Sequence, residues 1–174
     1  MGQIDKSVLI GFLKEVDRRL NRKISLVAVG GTAMTLLGLK SSTMDIDFCL
    51  AGEDELETFR RALDAMPHGF KVDLFVGGLI FSQQLPADYA EKSVKVRGGL
   101  RNIRLSALHP LDIVVTKIGR LAARDEEDIA DCISKWKLGS GDIERRAQSV
   151  HYIGNEGNYE ANLKAAMKMF FPAA

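Results

Sequence analysis

Three features of the 174-residue chain predict an α+β fold. Short β-rich apolar runs are concentrated in its first two thirds. Helical spacing of apolar residues fills the last third. Glycine pairs close several of the apolar runs, where a chain must turn sharply. The expected architecture is a mixed β-sheet flanked by helices with a helical C-terminal portion. Residues 1–136 would form the main domain and residues 137–174 a helical extension packed on it.

Each element has its own signal. From Ser7 to Arg22, Leu9, Phe12, Leu13, Val16 and Leu20 recur at helical spacing, with Asp5 or Ser7 placed to cap the start. Ile24 to Val29 is a strand that stops at Gly30-Gly31, and Thr32 to Leu39 reads as a brief helix ending at Gly38. Asp45 to Leu50 alternates as a strand does, and Asp54 opens a helix carrying Leu56, Phe59, Leu63 and Met66. Phe70 to Val76 is a further strand closed by Gly77-Gly78. Ser93 to Arg97 and Asn102 to Leu105 form a hairpin around Gly98-Gly99. Pro110 suits the first turn of a helix running to about Ala123, continued after a kink from Arg124 to Trp136. Helices near Asp142 to Val150 and Tyr159 to Phe170 finish the chain.

Composition removes several classes of function. Apolar residues make up 46% and charged residues 27%, which excludes a disordered or collagen-like chain. A chain of this length buries roughly 70% of its unfolded surface, enough for a core without staples. The net charge is +1, so no global field draws nucleic acid or membrane, and any polyanion site must come from local segregation. Cys49 and Cys132 form no CxxC pair and read as reduced core thiols. His68, His109 and His151 lack zinc-ligand spacing, and no serine or cysteine sits in a nucleophile elbow. The longest uncharged stretch, Ile24 to Leu39, is short for a bilayer and holds three glycines. With charges at Asp5, Lys6, Lys14, Glu15 and Asp17, the N-terminus is unlike a signal peptide, so a cytoplasmic location and no membrane partner are expected.

The chemistry lies in an ordered set. Alternate side chains of a strand share a face, so Asp45 and Asp47 point the same way, about 6.6 Å apart, while Ile46 and Phe48 enter the core. Two adjacent carboxylates repel, and a divalent cation relieves that repulsion. Asp73 places a third acid in the later strand Lys71-Val72-Asp73-Leu74-Phe75. If that strand lies beside the Asp45 strand, the three acids suit two metal ions about 3.5–4 Å apart, the clamp used for displacement at phosphorus. Gly30 and Gly31 let the backbone approach a phosphate, and the helix opening near Thr32 offers it N–H groups.

The set Gly30-Gly31, Asp45-Ile46-Asp47 and Asp73 resembles the signature of the nucleotidyltransferase superfamily, the polymerase-beta-like fold. Within it the chain looks like the small proteins related to the AbiEii and MenT toxins. Relatives carry a basic residue and a threonine before the DxD, matched here by Lys40 and Thr43, with Lys in place of the expected Arg. A second block, His109 to Leu121 and then Arg124-Asp125-Glu126-Glu127-Asp128-Ile129, resembles the relatives' helix with a Lys, an Arg and a closing R-D-x-x-D. The resemblance spans roughly Ile24 to Ile133. It implies a nucleoside triphosphate as substrate, Mg²⁺ as cofactor in two ions with Mn²⁺ as the alternative, and Asp45, Asp47 and Asp73 as metal-binding and catalytic residues. Gly30, Gly31, Thr32, Lys40, Thr43, Lys117, Arg120 and Asp128 would bind the nucleotide. The toxin relatives further imply an RNA acceptor, such as a tRNA end, and a cognate antitoxin-like partner.

Charge segregation agrees. Ser41 to Thr58 holds six acids and no Lys or Arg, whereas Lys92 to Arg124 holds eight bases against Asp112 alone. On one helix Lys117, Arg120 and Arg124 would share a face. Lys95, Arg97, Arg101 and Arg104 serve equally well as polyanion contacts or as the wet face of a hairpin. The rival to an enzyme is a catalytically silent nucleotide- or RNA-binding module of the same fold.

Overall fold

The computed structural model describes residues 2–173. In chain order the elements are β1 (Ile4–Asp5), α1 (Lys6–Asp17), β2 (Ile24–Ala28), α2 (Gly30–Leu36), β3 (Ser42–Thr43), β4 (Ile46–Leu50), α3 (Glu53–Asp64), β5 (Val72–Val76), β6 (Leu79–Ile80), β7 (Gln83–Gln84), α4 (Tyr89–Lys92), β8 (Val94–Lys95), β9 (Ile103–Ala107), α5 (Pro110–Ile118), α6 (Ala123–Trp136), α7 (Ser140–Ala147), β10 (His151–Tyr152) and α8 (Glu156–Phe170). The eight-stranded mixed sheet has the order β10-β7-β6-β5-β4-β2-β9-β8, and β1 pairs with β3 beside it. At its centre β2 runs antiparallel to β4 and parallel to β9, and β4 runs parallel to β5.

The central strands form where the apolar runs lie, because all five residues of β4 are buried and must be apolar or special. Ile46, Phe48 and Leu50 pack into the core with Phe59 of α3 edge-on to Phe48. Leu9, Leu13 and Val16 seal α1 onto the same core. The C-terminal segment joins it rather than trailing off: Tyr159 of α8 donates its hydroxyl to the Val115 carbonyl at 2.7 Å, and β10 extends the sheet edge. Cys49 and Cys132 are both buried free thiols. No helix among the described residues is long and apolar enough to cross a membrane.

Several boundaries differ from the sequence reading, each for a physical reason. Helix α1 stops at Asp17 rather than reaching Arg22, because the Asp17 carboxylate accepts the backbone N–H groups of Arg101, Asn102 and Ile103 at 2.7–2.9 Å and fixes the start of β9. Helix α2 begins at Gly30 and ends at Leu36. Helix α3 opens after Gly52, not Asp54, and the Glu55 side chain instead accepts from the Ser25 and Ala51 N–H groups. Asp45 lies just before β4, and β5 starts at Val72. The hairpin is real but uneven, with Val94 and Lys95 opposite Ala107 and Ser106. Helix α5 ends at Ile118, and Leu121, at a φ of 49°, breaks the chain before α6. Lys117, Arg120 and Arg124 therefore do not share one helical face, and Arg124 projects into solvent.

Candidate active site

The acids assemble where β2 ends and β4 and β5 begin. Asp47 and Asp73 are direct partners in the register of the parallel β4–β5 pair, so their side chains leave the same face, one strand spacing of about 4.8 Å apart. Asp45 precedes the strand and is held by its backbone. Its carbonyl accepts the hydroxyls of Thr32 at 3.1 Å and Thr43 at 3.0 Å, and the Asp47 N–H donates to Thr32 Oγ1 at 2.9 Å. Thr32 and Thr43 are both buried, so their hydroxyls hold the acidic segment in place.

The two glycines have a role in that packing. Gly30 has a φ of 54°, and a Cβ there would come 3.5 Å from Asp47 Oδ2. A Cβ on Gly31 would lie 2.8 Å from Thr43 Oγ1, a distance no real side chain tolerates. The Gly-Gly pair thus lets α2 pass against the acidic segment.

The three acids differ in environment. Asp47 is only 8% exposed, and its carboxylate has no hydrogen-bond or ion-pair partner among the described residues. Burial, then the like charges of Asp73 and Asp45, push its carboxyl up to about 7, with Lys71 and Lys117 giving partial relief. Asp45 and Asp73 are half-exposed and share one cation: Lys71 Nζ lies 3.0 Å from Asp73 Oδ2 and 3.9 Å from Asp45 Oδ2. Among the described residues no three of His, Cys, Asp or Glu are placed to hold a metal ion together, and an ammonium stands between two of these acids. A buried, unpartnered carboxylate facing two others is nonetheless the donor set that a hard divalent cation takes. Their oxygens have the chemistry such an ion takes, although as placed they do not form a metal-ligand group.

The second block folds over α5 and α6. Lys117 Nζ reaches Asp125 at 3.1 Å and Asp128 at 2.7 Å, and Lys40 Nζ closes on Asp128 at 3.0 Å. Arg120 grips Asp125 with two bonds of 2.7 Å, and the Asp125 carboxylate also caps α6 by accepting the Ala122 N–H at 3.1 Å. Burial pushes Asp125 up, but Arg120 and Lys117 outweigh it and hold the carboxyl at about 2. Lys40, Lys117, Arg120 and Asp128 are thus brought into one network, near enough for Lys117 to act on Asp47. Sequence reasoning missed Lys71, Asp17 and the exposed Phe81. Only Lys71 had a signal in the sequence, two residues before Asp73.

No curated protein matches the chain by sequence. Among solved structures, that of an antigenic nucleotidyltransferase-like protein from Paracoccidioides brasiliensis aligns over 94% of this chain and 95% of that one, with a TM-score of 0.50 and 12% identity, a likeness of fold. Residues 8–167 match the family described as nucleotidyltransferase of unknown function (DUF6036), and the chain belongs to that family.

Proposed function

We propose that the chain is a divalent-metal-dependent nucleotidyltransferase that moves a nucleoside monophosphate from a triphosphate to a hydroxyl acceptor. The observation that carries this reading is the Asp47 carboxylate, on a residue only 8% exposed, without a hydrogen-bond or ion-pair partner among the described residues and in register with Asp73. Magnesium ions held by Asp45, Asp47 and Asp73, or manganese in their place, would supply the charge that neutralises the triphosphate and the departing pyrophosphate.

The chain's own residues do the rest. Asp73, half-exposed at the rim, takes the proton of the acceptor hydroxyl as its oxygen bonds to the α-phosphorus. The bond from that phosphorus to the bridging oxygen breaks, and pyrophosphate leaves. Lys40 and Arg120, partly exposed beyond their acid partners, lend positive charge to the phosphates. Lys117, nearly buried between Asp125 and Asp128, keeps that cationic wall fixed. Such catalysis is positioning and electrostatic stabilisation.

An RNA acceptor is the finer part of the proposal. It rests on the resemblance to the toxin proteins and on Lys95 and Arg104, exposed on the same side of the sheet as Asp47. Arg97 and Arg101 are exposed on the loop that joins their strands. The toxin role, with an antitoxin-like partner and a cytoplasmic setting, rests on the sequence reading alone.

One observation favours the silent module instead: Lys71 already neutralises two of the three acids. The experiment is transfer of labelled nucleotide with Mg²⁺ and total RNA. Incorporation is expected, and it should vanish in Asp45→Asn with Asp47→Asn. Incorporation that survives the double substitution removes these acids from the mechanism. Tight nucleotide binding indifferent to Mg²⁺, without transfer, would establish the module.

A further inference from the structure

The two-residue turn joining β6 to β7 is made by Phe81 and Ser82, at φ values of 47° and 63°. Tight hairpin turns of this hand call for Asn or Gly, because a Cβ in the left-handed region crowds the following carbonyl oxygen. A phenylalanine there is held against its backbone preference. Bonds on both sides of the turn hold it in place: Gln83 Nε2 donates to the Thr116 carbonyl at 2.9 Å, and the Ser82 carbonyl accepts the Ile153 N–H at 2.9 Å.

The ring lies near Asp47, across Gly30 from it. It meets Phe75 edge-on with centroids 4.8 Å apart, and Phe75 shares its sheet face with Asp73, one pleat further along β5. The space that a Cβ on Gly30 would fill is bordered by Asp47 Oδ2 at 3.5 Å and by two Phe81 ring carbons at 3.6 Å. Yet Phe81 is 45% exposed. A strained, braced aromatic that stays wet adds little to the core and leaves a flat apolar surface beside the acids.

We propose that Phe81, tilted by Phe75, is the stacking platform for the base of the nucleoside triphosphate. This rests on the nucleotidyltransferase reading and adds to it a residue for the donor nucleotide. The donor, rather than the acceptor, is the occupant because of the order of strands. The acids lie mid-sheet, Phe81 lies on the β6–β7 side, and the exposed bases Lys95 and Arg104 lie on the opposite, β8–β9 side. Every base has a π-face, so the platform strengthens binding of all four nucleotides with little discrimination.

The test is calorimetry without acceptor, titrating α,β-methylene triphosphates of the four bases, and separately inorganic tripolyphosphate, in Mg²⁺. Phe81→Asn suits the left-handed turn and removes the ring, while Phe81→Tyr keeps the ring. Nucleotide affinity should fall about tenfold in Phe81→Asn and stay within about twofold in Phe81→Tyr, with tripolyphosphate affinity unchanged in both. Nucleotide binding indifferent to Phe81→Asn, or lost in parallel with tripolyphosphate, overturns the platform alone. A protein that binds neither nucleotide nor tripolyphosphate overturns the enzymatic reading and the platform together.

Discussion

The carboxylates of this protein are treated in two opposite ways. Asp112, 1% exposed on α5, is gripped by the Arg146 guanidinium with Nη2 at 2.8 Å, and Arg146 also holds Asp88 at 2.7 Å. These contacts tie α7 and the start of α4 to α5. Asp125, fully buried, has Arg120, Lys117 and a backbone N–H around it. Asp47 is nearly as buried and has no such partner. Burial alone therefore does not fix an acid's surroundings, whereas the presence of a fixed partner does. Asp47 thus stands apart from the other buried acids, Asp17, Asp112, Asp125 and Asp128, each of which has donors around it.

The largest effect tests the paired region. Arg146→Met strands Asp112 among apolar neighbours and should cost about 3–5 kcal/mol in urea unfolding. The double replacement Asp112→Leu with Arg146→Met should recover most of that loss, since an apolar pair of similar volume suits the site. A single-variant cost under about 1 kcal/mol would mean that the pairing does not hold α7 in place.

The bare acid should respond with the opposite sign. Asp47 binds its proton more tightly folded, at about 7, than at its ordinary value of 3.8. Its contribution to stability is full below about pH 4 and is lost as pH rises through 7. Asp47→Asn should leave stability unchanged at pH 4 and raise it by about 2 kcal/mol at pH 8 without divalent ions, read by urea unfolding at both values. Added Mg²⁺ should stabilise the wild-type protein at pH 8 and do far less for the variant. An equal effect at both pH values would show that neither burial nor the neighbouring acids disfavour the ionised Asp47.

What the sequence made legible follows the same division. The central strands were readable from their apolar runs. The meeting of Asp73 with Asp47 was legible only on the condition that their strands are neighbours, which the β4–β5 register fulfils. Partnerships were not. Nothing around Asp17 at the end of an amphipathic helix indicates that it will receive the N–H groups of Arg101, Asn102 and Ile103 where β9 begins. The Gly30-Gly31 pair reads as an approach for phosphate, while contact with Thr43, distant in sequence, is what forbids a side chain at Gly31. The kink expected after Ala123 falls earlier, at Leu121, where the sequence gives no stop signal because leucine is a strong helix former. The β6–β7 hairpin escaped because its strands have two residues each and Phe-Ser does not resemble a turn.

An intermediate case is Lys117. Without it, Asp125 keeps Arg120 and the Ala122 N–H, and Asp128 keeps Lys40. Lys117→Met should therefore cost only about 1–2 kcal/mol of stability by thermal unfolding, well short of the Arg146 variant. A loss as large as that of Arg146→Met would place Lys117 among the structural cations.

The smallest effect bears on Lys71, the cation the open site does hold. It binds Asp73 and approaches Asp45 while remaining more than half exposed, unlike the guanidinium buried against Asp112. Asp73 raises its pKa by a hydrogen bond and by its charge, so it stays charged at neutral pH as the counter-ion of these acids. A divalent ion entering the site must displace that ammonium or bind beside it, and an exposed pair resists displacement only weakly. Lys71→Met should thus tighten Mn²⁺ binding to the nucleotide-free protein, by up to about fivefold in calorimetry at low salt. The gain should shrink as ionic strength rises, because the charge it removes is screened by solvent. Weaker Mn²⁺ binding in the variant would make Lys71 a support of the acid cluster rather than its competitor, and the contrast between fixed and exchangeable cations would fail at its most exposed member.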